Sequence, residues 1–220
     1  MGTLVGLVYL YLEYKASIHL WIASVIMPAI YLFIYYDVGL YADFGINVYY
    51  LLIALYGYTC WKFGGIKERG KLRTEDETML VSTEPRNESV KESDDIMRKS
   101  SDKTLPITSM PLSYLLPLIF LFFFLFFGIA QLLIYATDST VPWLDSFTTS
   151  LSIIGMWMLA RKYIEQWWVW ILVDIVSAGL YIYKELYMTA ALYMLYAVIA
   201  LFGYRKWKTM MEKEEVSYGI

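Results

Sequence analysis

The sequence predicts an all-α polytopic membrane protein with seven transmembrane helices, ordered as two parallel three-helix repeats joined by a linking helix (3+1+3). Three observations carry this. The 220-residue chain is 59% hydrophobic and 18% aromatic, with mean hydropathy +0.48. That is more apolar surface than one soluble core of this length can hide. Seven apolar segments are separated by connections whose Lys and Arg residues fall almost entirely on one side. Finally, the sequence matches itself at an offset of 146 residues.

The segments cover residues 4–14, 19–36, 46–61, 112–136, 144–160, 166–183 and 187–204, each read as a helical span from its length and lack of charge. The first is short, with about a dozen residues before Glu13 against the ~20 that cross a bilayer core. Either the bilayer thins there or the chain begins upstream of Met1, and the second is preferred. A cleavable signal peptide is not expected, since no basic region precedes the run and no small-residue cleavage site follows it. Pro28 removes a backbone hydrogen bond inside the second span and reads as a hinge.

Residues 64–111 hold 9 of the 18 Lys and Arg and 10 of the 21 Asp and Glu. They bury too little apolar area to offset their chain entropy, so they read as a disordered linker. The domain plan is therefore a first three-helix bundle (1–63), the linker (64–111), a connecting transmembrane helix (112–136), a second bundle (144–208) and a tail (209–220). Lys15, Lys62, the linker, Arg161, Lys162 and the tail share one side, whereas the opposite connections contain only Lys184. By the positive-inside bias the linker and C-terminus are cytoplasmic and the N-terminus is outside. Asn87–Ser89 fits a glycosylation pattern, but in a cytoplasmic linker it carries no meaning.

Composition also excludes function classes. A net charge of −3 offers no basic surface for nucleic acid. One cysteine (Cys60) and one histidine (His19) leave no disulfide framework or zinc cluster. No phosphate loop, G-x-S-x-G turn or H-E-x-x-H is present. The expectation is a protein that is not an enzyme and uses no cofactor or metal. Its partners are the lipid bilayer and a small molecule, and a homo-oligomer is compatible with the plan.

The repeat is clearest between "YLLIALYGYTCWK" (residues 50–62) and "YAVIALFGYRKWK" (residues 196–208), with Gly57, Tyr58, Trp61 and Lys62 facing Gly203, Tyr204, Trp207 and Lys208. The same register sets Lys15 against Arg161, Trp21 against Trp167 and Pro28 against Asp174. Parallel repeats about an axis along the membrane normal are a transporter plan, with substrate held near the midplane between them.

In "EQWWVWILVD", spacing puts Trp167, Trp170 and Asp174 on one helical face, while Trp168 points elsewhere and reads as an interfacial anchor. An ionised carboxylate at mid-membrane costs roughly 2.5–3.5 kcal/mol on insertion scales, so Asp174 is expected to face a polar cavity or a partner. Tryptophan faces beside a carboxylate suit a flat, cationic, hydroxylated solute. The repeat adds Asn47 and Tyr50 on the third span and Tyr193 and Tyr196 on the seventh as candidate contacts. Glu13 is placed at the cytoplasmic edge.

The W-x-x-W-x-x-x-D string, with "VPWLDSFTTSLSIIGMWMLARKYIEQW", "YLEYKASIHLW" and "YADFGINVYYLLIALYGYTCWK", resembles the PnuC-type vitamin transporters everywhere except the linker. The resemblance implies a fold like that of the SWEET sugar transporters and facilitated uptake of nicotinamide riboside, kept inside by cytoplasmic phosphorylation for NAD biosynthesis. Thiamine and riboflavin are handled by relatives and stay open as substrates. Asp174 stands where Asn is familiar in nicotinamide riboside carriers, and Asn47 where Gln is common. A sugar carrier on the same scaffold, or a membrane scaffold without transport, are the competing readings.

Overall fold

The computed structural model describes residues 2–38, 41–80, 105–136 and 141–218. Among them are seven α-helices: α1 (Gly2–Tyr14), α2 (His19–Val38), α3 (Tyr41–Leu80), α4 (Leu115–Ala136), α5 (Pro142–Ala160), α6 (Gln166–Tyr183) and α7 (Tyr187–Tyr218). A 3-10 turn, Leu112–Tyr114, leads into α4. Three stretches among the described residues are long and apolar enough to cross a membrane, Leu112–Tyr135, Gln166–Tyr183 and Tyr187–Lys213. The outer surface is apolar in keeping with this. Leu116, Phe120 and Phe124 on α4 are 66%, 72% and 77% exposed, a face that water would penalise and lipid tails accommodate.

Two helices run further than the bundle boundaries expected of them. α3 continues past residue 63 to Leu80, and α7 past 208 to Tyr218. The α3 extension is rich in Lys, Arg and Glu and the α7 extension in Glu and Met, residues that propagate a helix well without an apolar face. At the other end of the expected linker, residues 105–111 pack onto the helix ends. The Leu105 amide donates to the Trp61 carbonyl (2.9 Å), the Thr108 amide to Lys162 (3.2 Å), and the Ile164 amide back to Thr108 (3.0 Å). Ile107 is buried, and the Met110 amide donates to Glu165 Oε2 (2.9 Å). "LPI" at 105–107 supplies the apolar anchor that the charged residues before it lack. The expected disorder of residues 81–104 lies outside the described residues.

Helices contact one another in a crossed pattern: α2 packs on α3 and α6 on α7, while α1 meets α7 and α3 meets α5. Contacts at the centre recur at the offset of 146. Trp21 lies against Gly57 so closely that a Cβ there would overlap its ring, and Trp167 lies against Gly203 in the same way. Trp21 meets Trp61 edge-on at 5.7 Å and 84°, and Trp167 meets Trp207 at 5.6 Å and 88°.

The indole N–H groups then cross over. Trp61 donates to the Leu159 carbonyl (3.1 Å) and Trp207 to the Glu13 carbonyl (2.9 Å). Those carbonyls belong to the last turns of α5 and α1, where the helix supplies no donor of its own. Each also accepts the amide three residues on, from Lys162 and Ala16 respectively. Ala16 and Lys162, again 146 apart, both adopt left-handed backbone, with φ of 49° and 54°. All four tryptophans are fully buried.

Candidate functional site

Above this tryptophan layer lies a cavity of about 340 Å³, walled by α1, α3, α5, α6 and α7. That volume is within the range of small-molecule sites. Along α6 its wall runs from Trp167 to Tyr181, roughly 20 Å at 1.5 Å per residue.

Of the seven residues expected at the site, Trp167, Trp170, Asp174, Tyr50, Tyr193 and Tyr196 line this cavity, and Asn47 is not among its lining residues. Asp174 is 8% exposed and lies within electrostatic reach of Tyr193 and Tyr196. Tyr181 stacks on Tyr193 (5.2 Å, 20°), which meets Tyr196 edge-on (5.9 Å). The Tyr196 hydroxyl reaches across to Gly6 on α1, where a Cβ would stand 2.6 Å from it. Glycine is needed there for the approach, so α1 and α7 close one flank together.

The two tryptophans differ. Trp167 is fully buried, its benzo edge on Gly203 and its ring against Trp207. Trp21 makes the same contacts in the other half without lining the cavity, so this packing stands without any ligand. Trp170 is half-buried, rests beside Gly155 of α5 and has an indole N–H with no partner. Trp168 faces outward, 52% exposed, against Tyr204.

Sequence reasoning missed several lining residues. Glu13, expected at the cytoplasmic edge, is 1% exposed and lines the cavity with Asp174. The short α1 ends against the tryptophan layer, so its last turn is held inside the protein. α5 contributes Thr148, Thr149 and Ser152, whose hydroxyls donate to Leu144, Asp145 and Thr148 carbonyls respectively (3.1, 2.7 and 2.8 Å). Each oxygen keeps its acceptor capacity for a hydroxylated solute. Asp145 sits toward the Tyr181 end, 3.8 Å from Lys184 Nζ. The lining thus holds three carboxylates and no Lys, Arg or His. No basic side chain in the lining offers a counter-charge to an anion, and the acids and hydroxyls present oxygen acceptors to a polar solute.

A family model described as nicotinamide mononucleotide transporter matches residues 1–209. The nicotinamide riboside transporter PnuC of Escherichia coli (strain K12) is 33% identical over 66 residues, 30% of this chain and 28% of that protein. The riboflavin/roseoflavin transporter RibM of Streptomyces davaonensis is 32% identical over 73 residues, 33% of this chain and 34% of that one. These alignments span about a third of each relative's length. The crystal structure of the vitamin B3 transporter PnuC superposes with TM-score 0.59 at 17% identity, covering 96% of this chain and 80% of that one, a likeness of fold.

Proposed function

The chain belongs to the nicotinamide mononucleotide transporter family, and from that premise we propose that it carries nicotinamide riboside across a cell inner membrane by facilitated diffusion. The carrying observation is the cavity, which sets the open indole of Trp170 beside Asp174 and Glu13 with no basic residue in its lining. A pyridinium ring stacks on such an indole and gains from the carboxylates, about 0.5–2 kcal/mol per cation–aromatic contact. The α5 hydroxyls and Tyr50, Tyr193 and Tyr196 face the ribose. The same acids disfavour the phosphorylated mononucleotide. Phosphorylation in the cytoplasm would therefore also prevent return, and retention needs no second carrier.

The seven helices span the bilayer as two parallel three-helix repeats, α1–α3 and α5–α7, with α4 between them. The N-terminus is outside, and the linker and C-terminus are cytoplasmic. The crossed indoles close the cytoplasmic end, and the bundles rock about the cavity. In this reading Trp167 floors the site and Asn47 acts from outside the cavity wall.

Thiamine is the second reading, because a thiazolium meets the same carboxylates, and riboflavin the third, because of the likeness to RibM. Uptake of labelled nicotinamide riboside, thiamine, riboflavin and glucose into liposomes carrying the purified protein decides among them. Saturable riboside uptake without ATP is expected. Uptake of thiamine alone replaces the substrate, and uptake of none removes the transport reading.

A further inference from the structure

Among the described residues, the strap of residues 105–111 covers one of two equivalent turns. It pairs with the turn between α5 and α6, where the Thr108 amide donates to the Lys162 carbonyl and the Ile164 amide to the Thr108 carbonyl. Lys162, Tyr163 and Ile164 are all buried there. The turn between α1 and α2 stands at the same register, with Ala16 in the left-handed conformation that Lys162 also adopts. Its residues Ala16, Ser17 and Ile18 are only half-buried. A turn of this shape therefore holds without a strap over it, and the turn alone does not account for the strap.

What the strap adds is a tie between the halves. Toward the second half, besides the Thr108 bonds, the Met110 amide donates to Glu165 Oε2 (2.9 Å), and Ser109 lies against Met211 of α7. Toward the first half, the Leu105 amide donates to the Trp61 carbonyl (2.9 Å), and the Leu105 side chain rests on Gly64 of α3. Pro106 stands between the two attachments and has no N–H of its own to satisfy. Trp61 is thereby engaged twice, since its indole N–H already crosses to the Leu159 carbonyl (3.1 Å). The attachments differ in kind. Thr108 and Met110 form a ladder along the turn beneath them, whereas Leu105 meets α3 at a single point.

We propose that residues 105–111 are a latch on the cytoplasmic end. The strap stays seated on the α5–α6 turn through the transport cycle and parts from α3 at Leu105 and Gly64 when that end of the cavity opens. Its release sets how fast the opening occurs. This rests on the transport reading above and deepens it by naming the contact that must break.

Gly64 and Leu105 are placed for a direct test. A Cβ at Gly64 would stand 3.6 Å from the Leu105 Cβ, within the ~3.5–4.5 Å that a disulfide spans. The Leu105 methyl that would crowd it, 2.7 Å away, is absent once both positions are cysteine. The full chain is reconstituted in liposomes with Cys60→Ser, so that the native thiol takes no part. One variant adds Gly64→Cys with Leu105→Cys. The other adds Thr108→Cys with Tyr163→Cys, which locks the strap to the turn it already pairs with, at the roughly 4.7–4.9 Å spacing of paired strands. Uptake of the four labelled solutes is read before and after reduction.

Oxidising the first pair is expected to lower uptake at least about tenfold, with recovery on reduction, while oxidising the second leaves it within about twofold. Leu105→Ala needs no disulfide and should raise the initial uptake rate about two- to threefold by weakening the latch. Uptake that persists with the first pair oxidised overturns the latch. So does an equal loss from the second pair, or a Leu105→Ala rate at or below that of wild type. In each of those cases wild type still transports, and the transport reading stands. If wild type carries none of the four solutes, that reading fails and the latch falls with it.

Discussion

The corner around Trp21 and the corner around Trp167 have one packing scheme and two chemistries. In each, a tryptophan lies on a glycine, meets a second tryptophan edge-on, and the second indole caps a carbonyl in the opposite half. Where the corners diverge, the Trp21 corner is apolar, with Leu20, Pro28 and Leu159. The Trp167 corner holds Gln166 and Asp174 and is completed by Glu13 from α1. What the halves share builds the scaffold, and what they do not share marks the site.

The sharpest way to break the shared part is at the crossing indoles. Trp61→Ala and Trp207→Ala should each lower unfolding free energy by roughly 3–5 kcal/mol, as expected for a buried tryptophan. The two losses should agree within about 1 kcal/mol, because each indole fills the same space and caps one helix-end carbonyl. Thermal unfolding in one detergent measures both. A large loss at one and none at the other would end the equivalence of the corners.

Next come the glycines beneath the rings. Gly57→Ala and Gly203→Ala each put a methyl group into a tryptophan edge, and overpacking of this kind costs about 1–3 kcal/mol. Here the corners should also differ in function. Displacing Trp167 moves a cavity wall and should weaken substrate uptake, whereas Trp21 does not itself line the cavity. Equal uptake losses at equal stability would show that both corners act only through the scaffold.

That division also explains what could be read from the sequence. The identities that revealed the repeat are the residues that touch: Trp21, Gly57 and Trp61, with Trp167, Gly203 and Trp207. Close packing permits few alternatives at those positions, so they leave a visible pattern. Six of the seven expected site residues reached the cavity because helical spacing from Trp167 and the repeat register both point inward. Asn47 did not, since register fixes a position along the helix and leaves the width of the cavity undetermined. Glu13 was missed because its place near a helix end suggested an interface. The signal was nonetheless present, in an acid aligned with Leu159 and a glutamine aligned with Leu20. The packed strap at 105–111 carried no comparable mark, because its charged neighbours dominate the composition of that tract.

Asp174 tests the unshared part more gently. Asp174→Asn keeps the shape and removes the charge, so uptake of a cationic substrate should fall about tenfold, equivalent to ~1.4 kcal/mol, with neutral solutes little affected. Liposome uptake of nicotinamide riboside against riboflavin reads the ratio. An unchanged ratio would place the cation's charge away from α6.

The smallest effect is expected on the outer face, where the halves differ without consequence for the cavity. Trp168 aligns with Ile22, and the two are similarly exposed, 52% and 46%. Trp168→Ile therefore exchanges one apolar lipid-facing side chain for the one its counterpart carries. The variant loses the ring contact with Tyr204 at 5.1 Å, and a surface change of this kind is worth within about 0.5 kcal/mol. Stability and uptake should both stay close to wild type. A marked loss of uptake at normal stability would mean that the outer face of α6 also carries function, and the line between scaffold and site would then have to be redrawn outside the cavity.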